Sequence, residues 1–155
     1  MAAAAHFHGL PKHTLGQKAF GVFRHKNLQP ASPYLTGFSD DFQIPVSRHT
    51  EVRREDIATR DELDLLIDSD FTGPCLLSEP QARALYMFNH IEYDSHSLKE
   101  EFERDRMTGK PTRPPQGYYP EDNINAAPLN RWRANAHLLF GNWLNQIYQT
   151  VPFDW

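Results

Sequence analysis

An α/β fold is what this sequence predicts, and three observations carry the prediction. Apolar runs of strand length stand at Leu63-Asp64-Leu65-Leu66-Ile67, Cys75-Leu76-Leu77 and Ala84-Leu85-Tyr86-Met87-Phe88. Ser97 with Glu100 forms a capping-box signature, which opens a helix to about Arg106 with Leu98 and Phe102 on one face. Leu138, Leu139, Trp143, Leu144 and Ile147 recur near helical spacing and predict a closing helix from Asn135 to about Tyr148. The chain has 155 residues, which suits one domain or a piece of a larger one.

The elements follow in order. Ala2 to Ala5 have the highest helix propensity and read as the tail of a helix, which Gly9 followed by Pro11 stops. Ala19 to Phe23 reads as a short strand, and Asn27 to Gly37 as a loop rich in Pro and Asn. Phe38 to Arg48 carries no clear period and is expected to be irregular, leading into Ser47-Arg48-His49-Thr50. The three apolar runs form a meander. Residues 108–130 are rich in Pro, Asn and Gly around Tyr118 and Tyr119. A loop of that length is functional or is laid over another surface. No internal repeat or low-complexity tract is visible.

Composition narrows the function classes. A hydrophobic content of 39% supplies a core and excludes wholesale disorder. The net charge of −4 with scattered basic residues gives no footprint for nucleic acid. A single cysteine, Cys75, allows no intrachain disulfide and points to a reducing compartment. Met1 to His8 lacks the basic and long apolar regions of a secretion signal, and no stretch approaches the length of a membrane span. The expectation is a cytoplasmic protein with no membrane or nucleic-acid partner.

The residues with most chemistry are His90-Ile91-Glu92-Tyr93-Asp94, where a hydrophobic strand runs out. Residues two apart in extended chain share a side, roughly 7 Å along the strand. Glu92 can therefore curl back to His90, hold one ring nitrogen protonated and leave the other as a general base. That is the base-and-orienter half of a nucleophilic triad. The plain alternative is an exposed or core-satisfied histidine. Cys75 is a poor nucleophile candidate: it sits in an apolar run with no flanking cation, so it reads as a small buried hydrophobe. Lys18 reads as an ordinary exposed lysine unless a substrate carboxylate comes near. Arg104 is four residues from Glu100, an i,i+4 surface pair, and Ser47 is a turn residue on the simplest reading. His6-x-His8 has no Cys or Asp partners at ligand spacing, so no metal site is expected. Trp132 and Trp143 read as core or interface.

A family resemblance then enters on collinear motifs. Gly9-Leu10-Pro11-Lys12, Phe20-Gly21-Val22-Phe23, Gly37-Phe38-Ser39-Asp40-Asp41-Phe42 and Pro45-Val46-Ser47-Arg48-His49-Thr50-Glu51-Val52 resemble, in that order, homoserine O-succinyltransferase and its acetyl-transferring relatives. So do Asn89-His90-Ile91-Glu92-Tyr93-Asp94, Glu101-Phe102-Glu103-Arg104-Asp105, and Arg131-Trp132-Arg133 with Ala136 to Asn145. The ending, Tyr148-Gln149-Thr150-Val151-Pro152-Phe153-Asp154, matches as well.

The resemblance implies the C-terminal part of one domain, residues 1–155, in a three-layer class I glutamine amidotransferase-like (flavodoxin-like) α/β fold with an incomplete sheet. It implies acyl transfer from succinyl-CoA or acetyl-CoA to the hydroxyl of L-homoserine, in methionine biosynthesis, through a Cys-His-Glu triad. His90 resembles the base and Glu92 its orienter; Lys18, Ser47 and Arg104 fall on substrate-binding positions, where a guanidinium suits the amino-acid carboxylate. No cofactor is implied beyond acyl-CoA as co-substrate, and a homodimer is expected of the full-length family. The nucleophilic cysteine is expected a few residues before Met1, so this chain is expected to be a fragment, inactive alone. Met87-Phe88-Asn89 stands where many relatives carry Thr-Gly, Ile91 replaces a frequent proline, and Asn135 a frequent histidine. An amino-acid-binding remnant is the non-enzymatic alternative. A glutaminase-like amidotransferase is the enzymatic one, disfavoured by the motifs around Ser47 and Arg104.

Overall fold

Five strands and four helices make up the computed structural model, which describes residues 1–152. Helix α1 (Ala2–His8) is followed by the long strand β1 (His13–Asn27), β2 (Asp41–Glu51), a single helical turn α2 (Arg54–Ile57), β3 (Asp64–Asp68), β4 (Leu76–Glu79) and β5 (Ala84–Met87). Helices α3 (Ser97–Met107) and α4 (Arg133–Thr150) close the chain. The strands form one sheet in the order β2-β1-β3-β4-β5, and every neighbouring pair is antiparallel. Among the described residues, no helix is long and apolar enough to cross a membrane.

The expected α1 and its stop are present. Gly9 adopts the left-handed conformation (φ 62°) that ends a helix most cheaply when no Cβ is present. The Arg60 Nε–H donates to the otherwise open carbonyl of His8 at 2.7 Å. Ala4 is buried against Leu10, Val52, Ile57, Leu63, Leu77 and Phe88. The meander β3-β4-β5 is also present, and Cys75, Leu76 and Ile67 lie in a second cluster with Ile44, Leu66, Ile91 and Leu139 of α4.

The expected irregular stretch from Phe38 to Arg48 is corrected: Asp41 onward is strand β2, paired along β1. Phe42, Ile44, Val46 and Arg48 alternate into the interior. The period is hidden in the sequence by Pro45, which has no amide hydrogen. β2 is an edge strand, and proline is tolerated there because its nitrogen faces away from the ladder. Pro45 lies opposite Val22, and both turn their remaining backbone groups outward. The Val22 N–H donates to Gln116 O at 2.8 Å, while Pro45 O accepts from the His90 N–H at 2.9 Å. β1 is correspondingly much longer than the five residues expected.

Segment 108–130 is laid over β1. The Gln116 N–H donates to Phe20 O at 3.0 Å, and a parallel bridge joins Gln116 to Gly21. Only glycine fits at 21: its φ is 149°, and a Cβ there would lie 2.3 Å from Gln116 O. Tyr118, Tyr119 and Trp132 are buried with Phe20, Val22, Leu98 and Phe102, so this segment supplies the third core cluster. Burial pushes the Tyr118 phenol up to about 12.

Two local expectations fail. The capping box at Ser97 and Glu100 is not formed; His96 is the cap residue, and its own N–H is taken by Asp94 Oδ1 at 3.1 Å. Asp94 wins because an Asx turn satisfies the chain one residue earlier. Arg104 does not pair with Glu100; it reaches Glu101 at 3.7 Å and Asp105 at 3.2 Å. Helix α4 runs two residues beyond each predicted end.

Candidate active site

β2 positions the site. Its Pro45 carbonyl fixes the His90 backbone. Two residues on, Ser47 projects from the same side of the strand, roughly 7 Å along. Past β5 the chain turns at Asn89, and His90 Nδ1 comes to 2.8 Å from Glu92 Oε1. A carboxylate only accepts, so Nδ1 carries the ring hydrogen and Nε2 keeps its lone pair. Among the described residues nothing is bonded to Nε2. Burial, the largest single influence, pushes the Glu92 carboxyl up, but the hydrogen bond from His90, a bond from its own backbone and the charge of His90 together hold the group below its ordinary range. Tyr93 stacks on His90 with ring centroids 4.2 Å apart and planes 15° from parallel. The Trp132 indole N–H holds the Tyr93 carbonyl at 2.7 Å.

Lys18, Ser47 and Arg104 come together on one oxygen. Lys18 Nζ and Ser47 Oγ each donate to Glu101 Oε1 at 2.7 Å, and Arg104 Nη2 lies 3.7 Å from it. Asp105 closes the cluster, accepting from Arg104 Nη2 at 3.2 Å and Lys110 Nζ at 3.3 Å. Burial opposes ionisation of Asp105, yet its bonds from Arg104, Lys110 and Lys18 hold its carboxyl low. Lys18 is therefore not the exposed lysine expected: its side chain is 15% exposed and lies 4.0 Å over the Phe20 ring. Tyr93 lies between the two groups of residues. Burial above all, then Glu101 and Glu92, pushes its phenol up, while Arg104 opposes them. Beside Lys18 a cavity of about 1060 Å³ opens between β1 and segment 110–116, lined by Phe20, Phe23, Asp105 and Arg113.

Cys75 is fully buried, and burial pushes its thiol up to about 12 against the opposing influence of Arg48. It is the inert small hydrophobe the sequence suggested. Among the described residues no cluster of three or more metal-ligating side chains occurs.

Residues 1–153 match the family described as homoserine O-succinyltransferase. The chain belongs to that family. It is 70% identical over 154 residues to a protein of Hyphomonas neptunium named homoserine O-acetyltransferase, covering 99% of this chain and 50% of that protein. A Chelativorans protein of the same name is 65% identical over 154 residues, covering 99% of this chain and 49% of that one. The chain thus spans about half the length of the curated relatives it matches. A glutamine amidotransferase of Thermotoga maritima superposes over 94% of this chain and 58% of its own, with a TM-score of 0.62 at 13% identity. That likeness concerns the fold alone, and it sets the α/β architecture among class I glutamine amidotransferase-like folds.

Several residues of this candidate site were not singled out by the sequence. Glu101 is the common acceptor of the cluster, and its distance of three from Arg104 on a helix was the available sign. Tyr93 lay inside the His90 motif without a role. Asp105 offered no sign beyond its neighbours. Phe153 and Asp154, the end of the last family motif, lie outside the described residues.

Proposed function

We propose that this chain is the base-bearing part of a homoserine O-acyltransferase, acting on L-homoserine with acetyl-CoA or succinyl-CoA. The observation that carries the reading is the 2.8 Å contact between His90 Nδ1 and Glu92 Oε1, with Nε2 left open. In that arrangement His90 Nε2 takes the proton of a cysteine thiol supplied from outside these 155 residues. The thiolate attacks the acyl carbonyl, and the CoA thiolate leaves with the proton. Nε2 then takes the proton of the homoserine hydroxyl as that oxygen attacks the acyl-cysteine, and returns it to the departing sulfur. Glu92 keeps the ring in one tautomer and stabilises the imidazolium formed at each step. Lys18 and Arg104 offer cations to the substrate carboxylate, and Ser47 a hydroxyl. The cavity beside Lys18 supports entry of a substrate of that size. A cytoplasmic homodimer of the full-length protein, with no further cofactor, completes the proposal.

The test grafts this chain in place of the matching residues of the Hyphomonas neptunium relative. The graft is expected to form O-acylhomoserine, with acetyl-CoA and succinyl-CoA assayed side by side, and the isolated chain is expected to form none. His90→Ala should cost at least about a thousandfold in kcat, and Glu92→Gln at least about a hundredfold. A folded graft that transfers neither acyl group overturns the reading.

A second reading, an amino-acid-binding remnant, is favoured by two observations: Cys75 is buried, and Lys18, Ser47 and Arg104 come together on Glu101. Calorimetry of the isolated chain with homoserine separates the two, because a part of an enzyme is expected to bind nothing measurable.

A further inference from the structure

Behind His90 lies a buried polar pair that the acyl-transfer reading leaves unused. His25 of β1 is 0% exposed, and Asn89, the residue before the base, is 3% exposed. His25 Nδ1 lies 2.8 Å from Phe23 O, and a carbonyl only accepts, so Nδ1 carries the ring hydrogen. Nε2 is then an acceptor, and the Asn89 side-chain N–H donates to it at 2.8 Å. Among the described residues Asn89 Oδ1 has no partner, so the amide is oriented through its N–H side, by the bond to His25 and by a contact with the Cys75 sulfur. Burial above all, with Arg48 adding to it and the Phe23 carbonyl and Asp68 opposing, pushes the His25 pKa down to about 4. The ring is neutral and held in one tautomer.

Two apolar groups of the same shape would be about as stable at this place, since a buried hydrogen-bonded pair gains little over them. What the polar pair supplies is direction. Its neighbours along the chain are pinned too: the Phe88 N–H donates to Cys75 O at 2.7 Å, and the His90 N–H to Pro45 O at 2.9 Å. Three successive residues are thus held where β5 hands over to the base, and Asn89 is the one held by its side chain.

We propose that the His25–Asn89 hydrogen bond is a positioning device for His90, setting the backbone from which its ring meets Glu92 and Tyr93. The inference rests on the reading of His90 as the base. A loss of about 1 Å in the placement of a reacting group can cost a hundredfold in rate, so such a device has something to protect.

The test is nitrogen-15 histidine spectroscopy of the 155-residue chain across about pH 5.5 to 8, the range in which free histidine changes charge. His25 is expected to remain neutral with its hydrogen on Nδ1. Asn89→Ser, small enough to fold but short of the ring, is expected to move the His90 ring-nitrogen resonances and to loosen the Nδ1 hydrogen from Glu92. His25→Gln, whose carboxamide can both accept from Asn89 and donate to Phe23, is expected to leave His90 where it is. A His25 that titrates near its ordinary value overturns the proposal, as does a His90 unmoved in folded Asn89→Ser. In the active graft, Asn89→Ser should lower kcat at least about tenfold with KM unchanged. If the graft proves inactive while the spectra behave as expected, acyl transfer falls and the positioning of His90 stands.

Discussion

Ser47 gives its hydroxyl hydrogen to Glu101 Oε1 at 2.7 Å, the same oxygen that Lys18 reaches at 2.7 Å. Glu101 therefore organises the cluster from within, and without its charge the one carboxylate left to Lys18 among the described residues is Asp105 at 3.4 Å. Glu101→Gln is expected to destabilise the fold by about 2 kcal/mol, the scale of a charge-assisted hydrogen bond in a half-buried place. The double-mutant cycle with Ser47→Ala should show a coupling of about 1 kcal/mol. Urea midpoints measure both, and additive effects would show that the two side chains do not share this oxygen.

The strap over β1 depends on Gly21. Gly21→Ala puts a Cβ into Gln116 O and strains the backbone, so it is expected to cost about 3 kcal/mol or more. Hydrogen exchange should report the same event, because the Val22 amide loses its bond to Gln116. Gly16 is the control: nothing lies within 4 Å of a Cβ there, and Gly16→Ala is expected to stay within about 0.5 kcal/mol.

These two sites show what was legible in the sequence. The meander could be read because Leu65 to Ile67, Cys75 to Leu77 and Ala84 to Phe88 are apolar runs between turn residues. β2 could not, because Pro45 and the polar Arg48 and Thr50, which stand on the inward positions, break the pattern that Phe42, Ile44 and Val46 set. Their strand state comes from pairing with β1, a tertiary cause. His90 and Glu92 were legible as a spacing. Glu101 was not, since what singles it out is the arrival of Lys18 from β1 and Ser47 from β2, which are 83 and 54 residues away.

Cys75 should behave as a core side chain. With its thiol pushed up to about 12 and no exposed surface, it is expected to resist iodoacetamide in the folded chain and to react fully in about 6 M urea. Mass spectrometry reads both states. Cys75→Ala is expected to leave acyl transfer by the graft within about twofold. Ready alkylation of the native chain would return Cys75 to consideration as a nucleophile.

His25 makes the fold sensitive to acid in a defined window. Its folded pKa of about 4 lies below the ordinary 6.5, so between these values the unfolded chain binds a proton that the folded chain refuses. Stability therefore rises with pH across that interval and is lost as pH falls from about 6.5 towards about 4, with no further loss from this group below. The full effect is on the order of 3 kcal/mol. Glu92 and Asp105, whose carboxyls are held low, add their own loss only below the ordinary carboxylate range, as pH falls through their depressed values. The difference between the wild-type chain and His25→Gln isolates the histidine: urea unfolding at pH 7 and pH 5 should show a steeper loss in the wild type. Parallel losses would mean that His25 takes up its proton as readily inside the fold as outside it.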